Sequence, residues 1–158
     1  SIGFGPWRRN FHRWIERDDT IAERLILVIT ESSAMETPQK VVKFMDELRL
    51  LGVSFAMNDF GSGHTALRYF KDFFFDVLKI DGQFTKSIDK DLDNQALEKA
   101  MISIAKLFDM LIVAEFVETR AEAETLIILR TGCLQGYFFS APSTRPRWAT
   151  EQSRQAAS

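Results

Sequence analysis

The stretch that decides the fold is Val53-Ser54-Phe55-Ala56-Met57-Asn58-Asp59-Phe60-Gly61-Ser62-Gly63. Its first five residues form a short, largely apolar run, which is typical of a buried β-strand. Asn58 and Asp59 follow this run directly, and the two glycines after them permit a sharp turn or a close approach to a ligand. Asn and Asp also favour simple turns, so this stretch alone leaves that alternative open. Because parallel α/β folds keep their chemistry at the carboxyl ends of strands, the stretch predicts a functional site after a strand.

Strand-like runs alternate with helical patterns along most of the chain. Besides residues 53–57, apolar runs predict strands at 25–30, 77–81, 111–115 and 134–139. Apolar residues at helical spacing predict a helix from Pro38 towards Gly52, and further helices at about residues 65–72, 97–108 and 121–130. Strands that are apolar throughout and alternate with helices predict a parallel sheet covered by helices.

Polar residues cluster where the predicted strands end. They are Thr30, Glu31, Asn58, Asp59, Lys79, Asp81, Glu115, Glu118 and Gln135. Strand ends that converge on one set of polar groups are the layout of the catalytic face of a (β/α)8 barrel. A Rossmann-type sheet is the rival architecture, but no glycine-rich fingerprint follows the first strand.

Composition places the chain among single-domain globular proteins. Its 158 residues fit one domain, and a hydrophobic share of 46% is enough for a packed core. The formal net charge of -2 gives no global attraction to nucleic acid, so we expect no nucleic-acid partner. The single cysteine, Cys133, excludes an internal disulfide and fits a reducing compartment. No run has the length of a membrane span and no signal peptide is visible, which favours a cytoplasmic domain, free or tethered within a larger membrane protein.

Four short motifs occur in order at these strand ends. They are Asn58-Asp59-Phe60-Gly61-Ser62-Gly63, Lys79-Ile80-Asp81, Ala114-Glu115-Phe116-Val117-Glu118-Thr119 and Gln135-Gly136-Tyr137. Together they resemble the later signatures of EAL domains, the cyclic di-GMP phosphodiesterase family, over about residues 25–142. The resemblance implies a modified (β/α)8 barrel of TIM type, of which this chain would hold a part, with about five parallel strands and covering helices. It also implies hydrolysis of cyclic di-GMP to linear pGpG with two divalent metals, Mg²⁺ or Mn²⁺.

The resemblance implies roles for the polar strand ends. Lys79 would contact the reacting phosphate and water, and Glu115 would lie at the catalytic centre. Gln135 would support that glutamate, and Glu31 would anchor the loop at residues 61–67. The positions implied to contact the substrate are Asp81 and Gly136.

The implied metal positions depart from the family pattern. Asp59 matches the second aspartate of a metal-binding pair, but Asn58 stands where the family has the first aspartate, and Val28 replaces a metal-binding glutamate. An amide oxygen can coordinate a hard cation without offsetting its charge, and valine offers no ligand atom. We therefore expect metal affinity to fall by a few kcal/mol for each lost charge-assisted contact. We also expect Lys79 and Glu115 to pair with each other when metal is absent.

The leading hypothesis is an EAL module with a degenerate metal site over residues 1–142, followed by a polar tail, 143–158, that we expect to be disordered. It would act in cyclic di-GMP signalling by nucleotide binding or protein contact. One alternative is an active phosphodiesterase whose remaining ligands lie N-terminal to this chain. Another is an interaction module that binds no nucleotide, in which Phe116, at a family glycine, helps to fill the site. Expected partners are other domains of a larger signalling protein and a second copy through unpaired strand edges, because five strands cannot close a barrel of eight.

Three further features have a structural interpretation. We interpret His64 as a loop residue without metal, since the chain has only two histidines and they lie far apart. Phe73-Phe74-Phe75 is predicted to be buried beneath a helix. Glu118 and Thr119 are predicted to supply charge and a cap at the start of the following helix.

Overall fold

The computed structural model describes residues 5–15, 17–62 and 70–144. These residues form seven helices and five strands. The helices are α1 (Gly5–Ile15), α2 (Asp19–Ala22), α3 (Glu31–Glu36), α4 (Pro38–Arg49), α5 (Gly82–Thr85), α6 (Leu92–Leu107) and α7 (Arg120–Leu129). The strands are β1 (Ile26–Thr30), β2 (Ser54–Phe60), β3 (Val77–Ile80), β4 (Leu111–Ala114) and β5 (Cys133–Leu134).

The five strands form one sheet in chain order, β1-β2-β3-β4-β5. Every neighbouring pair is parallel, with Thr30 opposite Asn58 at one end of the sheet and Val113 opposite Cys133 at the other. Helices connect β1 to β2, β3 to β4, and β4 to β5. The predicted five-stranded parallel sheet with covering helices is therefore confirmed. Within the described residues the sheet is open, with β1 and β5 at its edges.

One face of the sheet is buried beneath amphipathic helices, of which α4 is the clearest. Pro38 lies in its first turn, where backbone N–H groups have no partner within the helix, so the missing N–H of proline costs nothing. Its buried side chains recur at helical spacing and are Val41, Phe44, Met45 and Leu48. The Phe44 ring meets that of Phe55 on β2, with centroids 6.1 Å apart, and Trp7 of α1 packs on Phe44 from outside. This packing fixes which residues of each strand face the helices.

The opposite face of the sheet carries exposed apolar side chains. Side chains alternate along a strand, so the neighbours of the buried Ile29 point away from the helices. Ile26 and Val28 of β1 are 55% and 57% exposed, and Leu111 of β4 is 48% exposed. We call this surface the inner face, since it would line the interior of a closed barrel.

Two strands differ from the prediction by more than one residue at an end. β2 continues to Phe60 instead of ending at Met57, so Asn58 and Asp59 lie within the strand. The fifth strand was predicted at 134–139 but contains only Cys133–Leu134. Beyond it, the Phe138 N–H donates to the Val117 carbonyl and the chain turns, and any Cβ at Gly136 would overlap the Val117 backbone. The segment predicted as a strand therefore forms a turn, because the chain after β4, at Val117, accepts the hydrogen bond from Phe138.

Other predictions had mixed outcomes. The long helix α6 begins at Leu92, five residues before the predicted stripe, because Asp91 caps it by accepting from the N–H groups of Asp93 and Asn94. In the phenylalanine run, residues 73 and 75 are buried as predicted, but Phe74 is 51% exposed. His64 and most of the helix predicted at 65–72 lie outside the described residues.

Among the residues that the structure describes, no helix combines the length and the apolar character needed to cross a lipid bilayer.

Candidate functional site

The polar strand ends meet at the carboxyl edge of the sheet. Lys79 lies between Leu78 and Ile80, which are fully buried against the helices, so its side chain points to the inner face. In the parallel register Lys79 is opposite Val113, and Glu115 comes one residue after the end of β4. Neighbouring strands therefore present a lysine and a glutamate to the same surface.

Lys79 and Glu115 form a direct ion pair. The Lys79 Nζ donates to Glu115 Oε1 at 2.6 Å. The two side chains are only 18% and 8% exposed, so water screens the pair weakly. Charge-assisted hydrogen bonds of this length are stronger than neutral ones. The pairing that we expected of these two residues is present, and it leaves one oxygen of Glu115 for other contacts.

A bulge in β2 brings Asn58 and Asp59 into contact. The pairing of β2 with β3 shifts between Met57 and Phe60, which inserts one extra residue on β2. Asp59 takes a left-handed conformation there, with φ of 57°. Adjacent strand residues normally point to opposite faces, but here the Asn58 Nδ2 donates to Asp59 Oδ1 at 2.7 Å. The Asn58 Oδ1 is buried and has no hydrogen-bond partner among the described residues.

Glu31 holds the end of the bulged strand. It is the first residue of α3 and is 1% exposed. Its Oε2 accepts from the N–H of Gly61 at 2.9 Å. The link fixes the start of the loop after β2 against the first turn of α3. Residues 63–69 of that loop lie outside the described part of the chain.

The two residues assigned to the substrate occupy different settings. Asp81 caps α5, and its Oδ1 accepts from the Gln83 N–H at 2.8 Å. Gly136 lies after β5 at the rim of a pocket of ≈ 280 Å³. The residues that line this pocket are Glu115, Phe116, Glu118, Gln135, Gly136 and Tyr137. The structure therefore brings Glu115, Gln135 and Gly136 together, while Asp81 has a local capping role.

The donor groups of the described residues do not by themselves form a centre of two divalent metals. Within residues 5–15, 17–62 and 70–144, no group of three or more His, Cys, Asp or Glu side chains is placed to hold a metal ion. Val28 exposes an aliphatic side chain on β1, and Glu115 is tied to a lysine. Asp59 supplies one carboxylate and Asn58 one neutral oxygen, whereas Mg²⁺ sites rely on carboxylates to balance the cation charge.

Glu122 is a buried carboxylate that the sequence reasoning did not identify. It is 4% exposed and accepts from the backbone N–H groups of Ser87, Glu118 and Thr119. Desolvation acts to raise the pKa of Glu122, but these hydrogen bonds outweigh it and lower the pKa below its usual value. Thr119 and Glu122 form a capping box, so Thr119 caps α7 as predicted. The spacing of a threonine and a glutamate three residues later was the available signal.

A comparison with models of protein families accounts for this set of strand ends. The model described as the EAL domain matches residues 7–142. This chain belongs to the EAL domain family. Its open sheet therefore corresponds to part of a barrel of TIM type, as predicted.

Relatives of this EAL domain are considerably longer. It is 36% identical over 118 residues to the bifunctional diguanylate cyclase/cyclic di-GMP phosphodiesterase MucR of Pseudomonas aeruginosa. That match covers 75% of this chain and 17% of MucR. The chain thus spans about a sixth of the length of this curated relative.

Solved EAL structures superpose closely on it. The MucR phosphodiesterase in complex with c-di-GMP gives a TM-score of 0.80 at 31% identity, covering 89% of this chain and 57% of that one. A manganese/cy-diGMP complex of Klebsiella pneumoniae BlrP1 gives a TM-score of 0.73 at 26% identity, covering 77% of this chain and 31% of that one. Divalent metal therefore occurs in structures of the family.

Proposed function

We propose that this EAL domain acts in cyclic di-GMP signalling as a binding module whose hydrolytic capacity is impaired. The name of its relative and the ligand of its solved neighbour support the nucleotide class. The observation that carries impaired hydrolysis is that Val28 and Asn58 stand at two positions where the resemblance implies metal-binding carboxylates. The lysine and glutamate that remain nearby, Lys79 and Glu115, pair with each other at 2.6 Å. The charges of this site are largely balanced without a cation.

We infer impaired hydrolysis from the charges at the metal-binding positions. A centre of two metals lowers the pKa of a bound water and stabilises the attacking and leaving oxygens of the phosphate. Four positive charges need several anionic ligands close by. Val28 provides none, Asn58 provides a neutral oxygen, and Glu115 already neutralises Lys79. We infer that the remaining carboxylate, Asp59, holds metal too weakly for efficient hydrolysis.

The pocket after β4 and β5 supports nucleotide binding. Gln135 offers both donor and acceptor groups there, and Gly136 brings backbone close to the pocket rim. Exposed aromatic rings at Phe116 and Tyr137 offer apolar surface to a planar ligand. Such a mixture of apolar area with a few polar groups is typical of small-molecule sites.

Protein contact is a second candidate function, and the inner face favours it. Ile26, Val28 and Leu111 expose aliphatic side chains on a sheet whose edges are unpaired in the described chain. Apolar surface next to a free strand edge is suited to docking another polypeptide. In this role the partner would be a further domain of a larger signalling protein or a second copy. We place either function in the cytoplasm, in keeping with the single exposed cysteine.

Two measurements on the full-length protein test the proposal. Calorimetric titration with cyclic di-GMP reports binding, and chromatography after incubation with Mg²⁺ or Mn²⁺ reports pGpG. Binding without product is the expected outcome. Rapid product formation would show instead that the domain is an active phosphodiesterase. If the protein neither binds cyclic di-GMP nor forms pGpG, the remaining hypothesis is an interaction module that binds no nucleotide.

A further inference from the structure

Phe116 has an unusual backbone conformation for a bulky residue. It follows Glu115 directly and has a φ of 58°, in the left-handed region. Four other described residues besides glycine share this feature, and three of them, Ser87, Asp109 and Arg130, lie within two residues of a helix end, where it is common. Phe116 instead follows a strand. A side chain this large is seldom placed there without compensation from its surroundings.

The surroundings hold Phe116 firmly in place. On one side, the Gln135 N–H donates to the Ala114 carbonyl at 2.9 Å, and on the other the Val117 N–H donates to the Gln135 carbonyl at 3.0 Å. The ring lies directly on Gly82, the first residue of α5. A Cβ at position 82 would lie 2.5 Å from Phe116 Cδ2, so only glycine leaves room for the ring.

The Phe116 ring does not belong to the hydrophobic core. Phe116 is 63% exposed and lines the ≈ 280 Å³ pocket together with Glu115 and Gln135. A second exposed ring, Tyr137, 69% exposed, lines the same pocket. The braced Phe116 ring and the exposed Tyr137 ring thus lie beside the polar strand ends, at the place where the proposed function puts the nucleotide.

We propose that Phe116 is a stacking platform for a guanine base of cyclic di-GMP, an inference that rests on the proposed function. Bases stack on aromatic side chains because each base has a planar π-face, and a ring that is already held still loses little entropy on binding. The strained backbone and the glycine opposite are explained by this role, since they hold the ring in the open pocket and away from the core. Phe116 then determines affinity for the base and takes no part in bond cleavage.

Three variants of the full-length protein test this role. Phe116→Gly removes the ring and suits the positive φ, so the fold is preserved. Phe116→Trp keeps an aromatic surface. Phe74→Ala is the matched control, because Phe74 is also exposed (51%) but precedes β3, at the amino ends of the strands. Affinity for cyclic di-GMP is measured by calorimetry. Stacking is measured in Phe116→Trp, as quenching of the extra tryptophan fluorescence that this variant has over the wild type.

The expected result is a loss of affinity of about 5- to 150-fold in Phe116→Gly, the range for one stacked base. Phe116→Trp should bind cyclic di-GMP with its added fluorescence quenched, and Phe74→Ala should bind like the wild type. Binding by Phe116→Gly that equals or exceeds the wild type would overturn the stacking role while leaving the proposed function intact. Failure of the wild type and every variant to bind would overturn both.

Discussion

At the scale of single residues, the chemistry of the site is governed by which charges have partners. Lys79 and Glu115 neutralise each other at 2.6 Å. Asp59 accepts from Asn58, whose own oxygen stays buried without a partner in the described residues. An unpaired buried oxygen costs free energy, so it is also a group that gains from a new donor or cation. The site is thus closer to a balanced ion pair than to an anionic metal cage.

Restoring the two family carboxylates should restore metal binding. We expect Val28→Glu with Asn58→Asp to raise Mn²⁺ affinity at least ten-fold in the full-length protein, since two charge-assisted contacts are gained. Titration calorimetry measures the change. Ile26→Glu is the control, because it adds a carboxylate to the same face of β1 but two residues before Val28, further from the carboxyl end of the strand. No gain in the double variant would show that the ligand assignment is wrong.

Breaking the ion pair from one side should destabilise the fold. Lys79→Met leaves Glu115 buried without its partner, which costs about 3 kcal/mol of unfolding free energy. Adding Glu115→Leu should recover much of this loss, because both charges are then gone. Urea denaturation measures both values. Arg120→Met removes an exposed pair with Glu124 and should change stability by about 0.5 kcal/mol or less. Equal, small effects at Lys79 and Arg120 would contradict the argument.

At the scale of secondary-structure elements, buried carboxylates connect helices to the loops behind the site. Glu122 at the start of α7 accepts from three backbone N–H groups, one of them on Ser87 after α5. Glu98 in the middle of α6 is fully buried and accepts from the Thr131 hydroxyl at 3.1 Å. Its second oxygen has no partner among the described residues. These two carboxylates have opposite pKa shifts because one is well hydrogen-bonded and the other is not.

Glu98 should make stability fall as pH rises. Burial raises its pKa to about 7, and the Thr131 hydrogen bond opposes this only in part. Between the ordinary value of 4.5 and about 7, the folded state holds a proton that the unfolded state has released. The contribution of Glu98 is therefore fully favourable below pH 4.5 and is lost by about pH 7, at a cost of about 3 kcal/mol.

Urea denaturation at several pH values tests this, with Glu98→Gln as the variant. The amide keeps the shape of the side chain but cannot ionise, so the fall in stability between pH 5 and 7 should largely disappear. Glu124→Gln, on the exposed side of α7, serves as the control. An unchanged pH slope in Glu98→Gln would show that Glu98 does not titrate in this range.

At the scale of the whole molecule, only one face of the sheet is covered by helices. Its outer face is covered by helices, and its inner face exposes Ile26, Val28 and Leu111. Among the described residues no strand pairs with the outer edge of β1, which carries two of these side chains. Closed barrels have neither a free edge nor an open inner face. A polypeptide that pairs with β1 and covers the inner face would supply hydrogen bonds to the strand edge and bury the exposed apolar side chains.

We expect the isolated 158-residue chain to associate through this edge. Size-exclusion chromatography with light scattering should report a dimer, and Val28→Lys should shift it towards monomer, because a charge on an edge strand opposes pairing. Leu107→Lys is the control, since Leu107 is 78% exposed on α6 and away from β1. A well-folded wild-type monomer would rule out the association.

Much of the fold and part of the site followed from local sequence patterns. Alternating apolar runs and helical spacing identified five strands and the main helices, because burial on one face imposes those periods on any sequence. The motifs at the strand ends identified the family and marked Lys79, Glu115 and Gln135. These are properties of short segments, and short segments are what a sequence displays directly.

Only the tertiary structure decided how the segments meet. The bulge at Asp59, the early end of β5 and the strained Phe116 each depend on backbone from a distant part of the chain. The partner of Lys79 lies 36 residues away in the chain. The Glu122 carboxylate at the start of α7 accepts from the Ser87 N–H, 35 residues away. Hydrogen bonds and close contacts over such separations are set by strand register and by the space left between elements, which no local pattern specifies.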